Sequence, residues 1–109
     1  MDSLTALADP TRRQIVEMLS RGERAAGDIA DKFAISAPAI SQHLKVLREA
    51  RLVQVRVEAQ RRIYAIDPAG LDDVETWLRH VRRFWKGRLD VLEQELRGTK
   101  PTRSTRSKP

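Results

Sequence analysis

The sequence predicts a mainly α-helical fold with one small β-hairpin, in the order α-α-α-α-β-β-α. Apolar residues recur at helical spacing over most of the chain, and this period changes to two between Leu52 and Ile66. The pairs Asp9-Pro10 and Asp67-Pro68 stand where helices would begin. The 109 residues are enough for one domain with a modest core.

Four helices are predicted in the first half of the chain. They cover residues 3–7, 9–22, 25–33 and 37–50. Asp9 can cap the second helix and Ser36 the fourth, because their side chains can accept from free backbone N–H groups. Ile40, Leu44 and Leu47 define the buried side of the fourth helix. The third and fourth helices, joined by a short turn, therefore form a helix-turn-helix.

A hairpin and one long helix are predicted in the second half. The strands cover residues 52–58 and 62–66 with a turn at 59–61, and the helix runs from Asp67-Pro68 to about Arg97. Apolar residues follow this helix for roughly seven turns, with Trp77 and Phe84 beside them, which is more than a small core can cover. The pattern predicts a homodimer through the terminal helices. The predicted interface residues are Leu4, Leu7, Leu71, Val74, Leu78, Val81, Trp85, Leu89, Leu92 and Leu96.

Composition narrows the class of protein. The formal net charge is +6, but the segment from Gly98 onward has four basic residues and no acidic ones, so residues 1–97 are nearly balanced. We expect residues 1–97 to form the folded domain and residues 98–109 a disordered basic tail. The chain has no cysteine, which excludes disulfides and thiolate metal sites. No signal peptide or membrane span is visible, so we expect a cytoplasmic, nucleoid-associated protein without a membrane partner.

A helix-turn-helix followed by a hairpin is a winged helix, which places its second helix in the major groove of double-stranded DNA. Gln42 suits adenine, Ser41 a base or a phosphate, and Lys45 a phosphate. The predicted contacts on this helix are Ser36, Ala37, Pro38, Ala39, Ser41, Gln42, His43 and Lys45. His43 also borders the buried side, and the whole set could instead be a solvated helix face.

The hairpin, or wing, carries Arg56, Gln60, Arg61 and Arg62, which suit phosphates or the minor groove. The alternative is a charged strand edge that prevents aggregation. For Arg12 and Arg13 the sequence does not decide between contacts to phosphates and ordinary solvated surface.

Two stretches are similar to the ArsR family of bacterial winged-helix repressors. They are Ala6 to Ile15, and Ser36 to Ala50 followed by Leu52-Val53. The resemblance covers residues 4 to about 96. It implies a homodimer that binds a palindromic operator and represses transcription until an inducer releases it.

Metal sensors of that family have a Cys-Val-Cys-Asp motif at the start of the third helix, where this chain has Ala25-Ala26-Gly27-Asp28. The last helix has one histidine, His80, and lacks the paired histidines of the zinc-binding members. The resemblance is therefore to the non-metal branch, and no metal or other cofactor is expected. Trp77, Phe84 and Trp85 could form a binding site for a small apolar inducer, although such aromatic residues more often form a core or an interface.

The leading hypothesis is a sequence-specific dimeric repressor that occludes its operator. The alternatives are a nonspecific architectural DNA-binding protein and a winged-helix protein-interaction module. An enzyme is disfavoured, because the sequence offers no cysteine nucleophile, no carboxylate pair with a nearby histidine and no phosphate-binding glycine loop.

Overall fold

The computed structural model describes residues 2–99, which form five α-helices and one three-stranded antiparallel sheet. The elements are α1 (Ser3–Ala6), α2 (Pro10–Leu19), β1 (Arg24–Ala25), α3 (Ala26–Ala30), α4 (Ala37–Glu49), β2 (Val53–Glu58), β3 (Arg61–Ile66) and α5 (Pro68–Thr99). The predicted fold class is confirmed, with one additional strand. The predicted basic tail, apart from its first two residues, lies outside the described residues.

The chain divides into two compact units, one ending at Glu75 and one beginning at Thr76. The first unit contains α1 to α4, the sheet and the first turns of α5, and the second contains the remainder of α5. No helix within residues 2–99 is long and apolar enough to cross a membrane.

The core of the first unit forms around α4. Ile40, Leu44 and Leu47 are each at most 2% exposed, so the predicted buried side of this helix is confirmed. Other fully buried side chains are Ile15 of α2, Ile29 of α3, Leu52 and Val53. Burial of each large aliphatic side chain stabilises the fold by about 1.5–3 kcal/mol, so this cluster fixes how α4 sits.

Both predicted helix caps are confirmed. The Asp9 carboxylate accepts from the backbone N–H of Arg12 at 2.9 Å, and the Ser36 hydroxyl accepts from that of Ala39 at 3.2 Å. A proline follows each cap within the first turn, where its missing N–H leaves no intrahelical hydrogen bond unmade.

At its other end, α4 closes in a Schellman motif. The backbone N–H of Leu52 donates to the carbonyl oxygen of Leu47 at 2.9 Å, and that of Arg51 donates to Arg48 at 3.0 Å. Arg51 takes the left-handed conformation that this motif requires, with φ 62°. Leu47 and Leu52 are both fully buried, which is the apolar contact that accompanies the motif.

The predicted third helix is wrong at both ends. Ala25 lies in β1, where it pairs with Ile63 of β3, and the helix covers only Ala26–Ala30 instead of residues 25–33. A two-residue strand is too short to show a period of two, so its sequence cannot be told from the start of a helix.

The ends of other elements also differ from prediction. The second helix ends at Leu19 instead of Gly22, because the backbone N–H groups of Arg21 and Gly22 donate three residues back and so form turns. The hairpin turn consists of Ala59 and Gln60 alone, because Arg61 already pairs with Glu58 in the ladder. Ala59 has φ 58°, a conformation that its side chain gives no reason to expect. The last helix continues to Thr99, so Gly98 lies inside α5.

Candidate nucleic-acid interface

The predicted reading residues lie together on the solvent side of α4 and at its start. Ser36, Ala37, Pro38, Ser41, Gln42 and Lys45 are exposed, and Ala39 and His43 are half-buried. The arrangement follows from the buried stripe of Ile40, Leu44 and Leu47, since residues between the stripe positions must face outward. The result is a convex polar face, two to three helical turns long, whose first turn bears only small side chains.

His43 is turned toward α2. Its Nδ1 atom lies 3.3 Å from a guanidinium nitrogen of Arg12 and 3.8 Å from a carboxylate oxygen of Asp9. The pKa of Asp9 is lowered, chiefly because its carboxylate accepts from the backbone N–H of Arg12. Partial burial opposes this effect, while the charges of His43 and Arg12 add to it.

Arg12 and Arg13, whose role the sequence leaves open, both bind backbone carbonyls at or just beyond the end of α1. Nε of Arg12 donates to the carbonyl oxygen of Ala6 at 2.7 Å. Arg13 donates to the carbonyl oxygens of Leu7 and Ala8 at 2.8 and 3.3 Å. These carbonyls have no partner inside so short a helix, so the two arginines stabilise its end.

The predicted wing residues lie on two faces of the hairpin. Arg56 and Arg61 share one face with Ile63, because Arg56 pairs with Ile63 and strand residues two apart point the same way. Arg62 lies on the other face opposite Val57, which is 70% exposed. Gln60 is exposed in the turn.

The arginines of the first wing face have acidic partners. Arg56 contacts Glu23 at 2.7 Å and Glu58 at 3.1 Å, and Arg61 contacts Asp28 of α3 at 3.4 Å. The hydrogen bond to Glu23, followed by that to Glu58, raises the pKa of Arg56, and the same contact lowers the pKa of Glu23. The charge that the sequence assigns to the wing is thus partly neutralised within the chain.

The predicted interface residues of α5 are largely exposed. Leu71, Leu78, Trp85, Leu89, Leu92 and Leu96 range from 36% to 58% exposure, whereas Val74 and Val81 are half-buried. Trp77 and Phe84 are exposed as well, and Phe84 meets Trp85 edge to face with ring centroids 6.3 Å apart. Leu4 and Leu7 of the interface prediction are half-buried, and Leu7 packs against the core of its own chain.

Within residues 2–99 no three histidine, cysteine, aspartate or glutamate side chains are grouped so that they could hold a metal ion. His80 is exposed on α5.

A helix-turn-helix with a two-stranded wing and an exposed polar second helix is the architecture typical of winged-helix transcriptional regulators. Residues 9–55 match the family described as bacterial regulatory protein, arsR family. The chain belongs to this ArsR family, which is one of transcriptional regulators rather than enzymes.

Two known regulators are similar in sequence to this chain over about 70% of its length. The HTH-type transcriptional regulator Rv2034 of Mycobacterium tuberculosis is 52% identical over 80 residues, which are 73% of this chain and 72% of that protein. The transcriptional repressor SdpR of Bacillus subtilis is 40% identical over 73 residues, 67% of this chain and 81% of that one.

Solved structures agree with the fold. One described as a "possible transcriptional regulator for arsenical resistance" has TM-score 0.71 and 40% identity, and the alignment covers 87% of this chain and 96% of that chain. An ArsR-like transcriptional regulator from Rhodococcus sp. RHA1 has TM-score 0.69 and 28% identity, with coverage of 84% and 86%.

Sequence reasoning missed the contact between Arg12 and His43. The two residues are 31 positions apart and belong to different helices, so no periodic pattern links them. The nearest signal is that both lie in the two stretches that resemble the family.

Proposed function

We propose that the protein is a homodimeric repressor that binds a palindromic operator and blocks access of RNA polymerase. Each subunit would place α4 in the major groove, with the two helices in successive grooves roughly 34 Å apart. Ser41 and Gln42 would read base edges, Lys45 would hold a phosphate, and residues 36–39 would allow close approach to the groove.

The observation that carries the proposal is the two-sided character of α4. Ile40, Leu44 and Leu47 anchor one side in the core, while Ser41, Gln42 and Lys45 stay exposed on the other. A helix fixed in this way presents polar side chains in a rigid arrangement, which sequence-specific recognition needs.

The exposed apolar residues of α5 support the dimer. Trp85, Leu89, Leu92 and Leu96 follow one another by three or four residues, and each is at least half exposed. A stripe of this size on a water-exposed helix would be covered by a second apolar surface, and a second α5 offers the same spacing. A small apolar inducer would have its place beside Phe84 and Trp85 in such an interface.

The names of relatives support repression. SdpR and the arsenical resistance operon repressor of Staphylococcus aureus are both named repressors, although HlyU of Vibrio cholerae, 40% identical over 63 residues, is named a transcriptional activator. A regulator of this kind acts on the chromosome, so we place it in the cytoplasm with the nucleoid.

Selection of bound duplexes from a random DNA pool tests the proposal. We expect enrichment of an inverted repeat with half-sites about one helical turn apart, and repression when that repeat is placed at a reporter promoter. The reporter also distinguishes a repressor from an activator.

Two other outcomes would assign a different function. Salt-sensitive binding without sequence preference would identify an architectural DNA-binding protein. A folded dimer that binds no duplex at all would identify a protein-interaction module.

A further inference from the structure

His43 differs from the other predicted DNA-contacting residues of α4. Within residues 2–99, it is the one whose side-chain polar atom contacts residues at the start of another helix, α2. Its side chain is 21% exposed, and Nδ1 faces the first turn of α2. The other ring nitrogen, Nε2, forms no hydrogen bond or ion pair with the described residues. Nδ1 is thus engaged within the chain, whereas Nε2 has no partner among the described residues.

The position of Arg12 favours one of the two tautomers of the neutral His43 ring. A guanidinium group has only donors, so at 3.3 Å it can bond Nδ1 only if Nδ1 is an acceptor. The neutral ring must then be protonated at Nε2, which becomes a hydrogen-bond donor. The Asp9 carboxylate would favour a proton on Nδ1, but at 3.8 Å it lies beyond hydrogen-bond distance of that atom.

The same arginine ties α4 to the start of the fold. Its Nε binds the last carbonyl of α1, that of Ala6, while its terminal nitrogen binds His43. Two turns further along α4, the buried hydroxyl of Ser3 donates to the carbonyl oxygen of Ala50 at 3.2 Å. These two attachments on one flank of α4, about 10 Å apart along its axis, restrain its rotation and tilt.

We propose that Arg12 is a positioning residue for DNA recognition, which holds His43 as the Nε2–H tautomer so that the ring donates a hydrogen bond to an acceptor atom of DNA. The hydrogen bond to DNA rests on the proposed function, whereas the tautomer of His43 does not. The acceptor is a phosphate oxygen or a base acceptor of the major groove, since both accept from an imidazole N–H.

Arg13 supplies a matched control. It lies next to Arg12 and also donates to carbonyls at the end of α1, but the structure assigns it no contact with His43. If Arg12 merely fastened α1, then Arg13→Leu and Arg12→Leu would act alike on DNA binding. If Arg12 acts through His43, only Arg12→Leu would change the ring.

The tautomer is tested by long-range ¹H–¹⁵N correlation spectra of the full-length protein at a pH where the ring is neutral. We expect an unprotonated Nδ1 and a protonated Nε2 in the wild type and in Arg13→Leu, and a mixture of the two tautomers in Arg12→Leu. A wild-type ring protonated at Nδ1, or a spectrum unchanged in Arg12→Leu, overturns the proposal.

The DNA contact is tested by affinity for the duplex recovered in the selection experiment. Arg12→Leu and His43→Ala should each weaken binding about five-fold, the effect of one ordinary hydrogen bond. In the His43→Ala background, Arg12→Leu should have little further effect, because the two residues act as a unit. Additive losses would overturn the proposal.

His43→Gln should retain part of the affinity, because its amide can donate from near the Nε2 position. His43→Asn, whose amide reaches only the Nδ1 position, should not. An equal loss when a scrambled duplex replaces the selected one assigns the acceptor to a phosphate, and a loss confined to the selected duplex assigns it to a base.

Stability is followed in the same variants by thermal unfolding. If Arg12→Leu does not fold, Arg12→Lys takes its place, since an ammonium lacks the planar fork that binds both partners. If no duplex is enriched in the selection, the proposed function fails, and the proposed hydrogen bond from His43 to DNA fails with it. The spectra still decide which tautomer His43 adopts.

Discussion

The backbone N–H of Gly70 donates to the carbonyl oxygen of Arg51 at 2.7 Å, so the first turn of α5 rests directly on the end of α4. A Cβ atom at position 70 would lie 2.5 Å from that oxygen and 2.9 Å from the carbonyl oxygen of Ala50. Both atoms belong to the backbone of a buried junction and cannot move aside cheaply. Position 70 therefore requires glycine for space.

Gly70→Ala should destabilise the protein by about 1–3 kcal/mol, the usual cost of forcing a methyl group into a packed site. Urea unfolding measures the change. Gly87→Ala is the control, because a Cβ there meets nothing within 4 Å. It should be neutral or stabilising by up to about 1 kcal/mol, as expected for alanine in a helix. A Gly70→Ala protein as stable as the wild type would contradict the tight packing.

Arg51→Gly should stabilise the protein by about 0.5–1 kcal/mol. The left-handed φ of 62° strains an arginine but not a glycine, and the gain exceeds the added entropy of the unfolded chain. Glu49→Gly, one position before the helix cap, should instead lose about 1 kcal/mol, because its backbone is helical. The same unfolding experiment compares the two variants. A loss of stability in both would show that the backbone of Arg51 is not strained.

The stability of the protein should depend on the charge of Asp9 in acid. Its pKa is lower in the folded chain than in the unfolded one, so its contribution is complete above the ordinary carboxyl range. That contribution is lost as the pH falls through this range to the lowered value. Asp9→Asn and Asp9→Ser keep a capping side chain without a titrating group. In both variants the free energy of unfolding should fall less steeply at acid pH than in the wild type. An unchanged fall would count against the lowered pKa of Asp9.

Gln42→Ala should weaken binding of the selected duplex by about 1–3 kcal/mol and relax preference at one base pair. Lys45→Ala provides the contrast. It should weaken binding evenly across sequences and lower the dependence of affinity on salt, because a phosphate contact carries no base information. Competition among duplex variants separates the two effects, and equal behaviour of both variants would remove Gln42 from the reading role.

Leu89→Arg or Leu92→Arg should convert the proposed dimer into a monomer, because each places a charge in the apolar stripe of α5. Gln94→Arg, on the opposite side of the same helix, should leave the dimer intact. Sedimentation of the three variants beside the wild type gives the answer. A folded dimer in Leu92→Arg would require another interface.

The features that local sequence rules describe were predicted well. Asp9 and Ser36 cap their helices as expected, and the stripe of Ile40, Leu44 and Leu47 is buried, because capping and burial within a helix depend on residues a few positions apart. The exposed side of α4 follows from the same stripe.

Features that depend on partners distant in the chain were missed. The strand Arg24–Ala25 exists because β3 offers it an edge, and Gly70 is required because α4 ends beneath it. The bond between Arg12 and His43 likewise joins two helices whose approach only the folded core defines. The predicted DNA and dimer contacts remain predictions, since they involve molecules beyond this chain.

The carboxylates of Glu23 and Asp28 already occupy the arginines on one face of the wing. Both arginines keep more than half of their side chains exposed, so a phosphate arriving at that face would share each guanidinium with a carboxylate or replace it. Either way it would meet a charge that is already partly neutralised, and the attraction of Arg56 or Arg61 would be weaker than that of a free arginine. On this account the hairpin would act mainly as a shaped, sterically defined arm, and its net attraction for DNA would be much smaller than three arginines suggest.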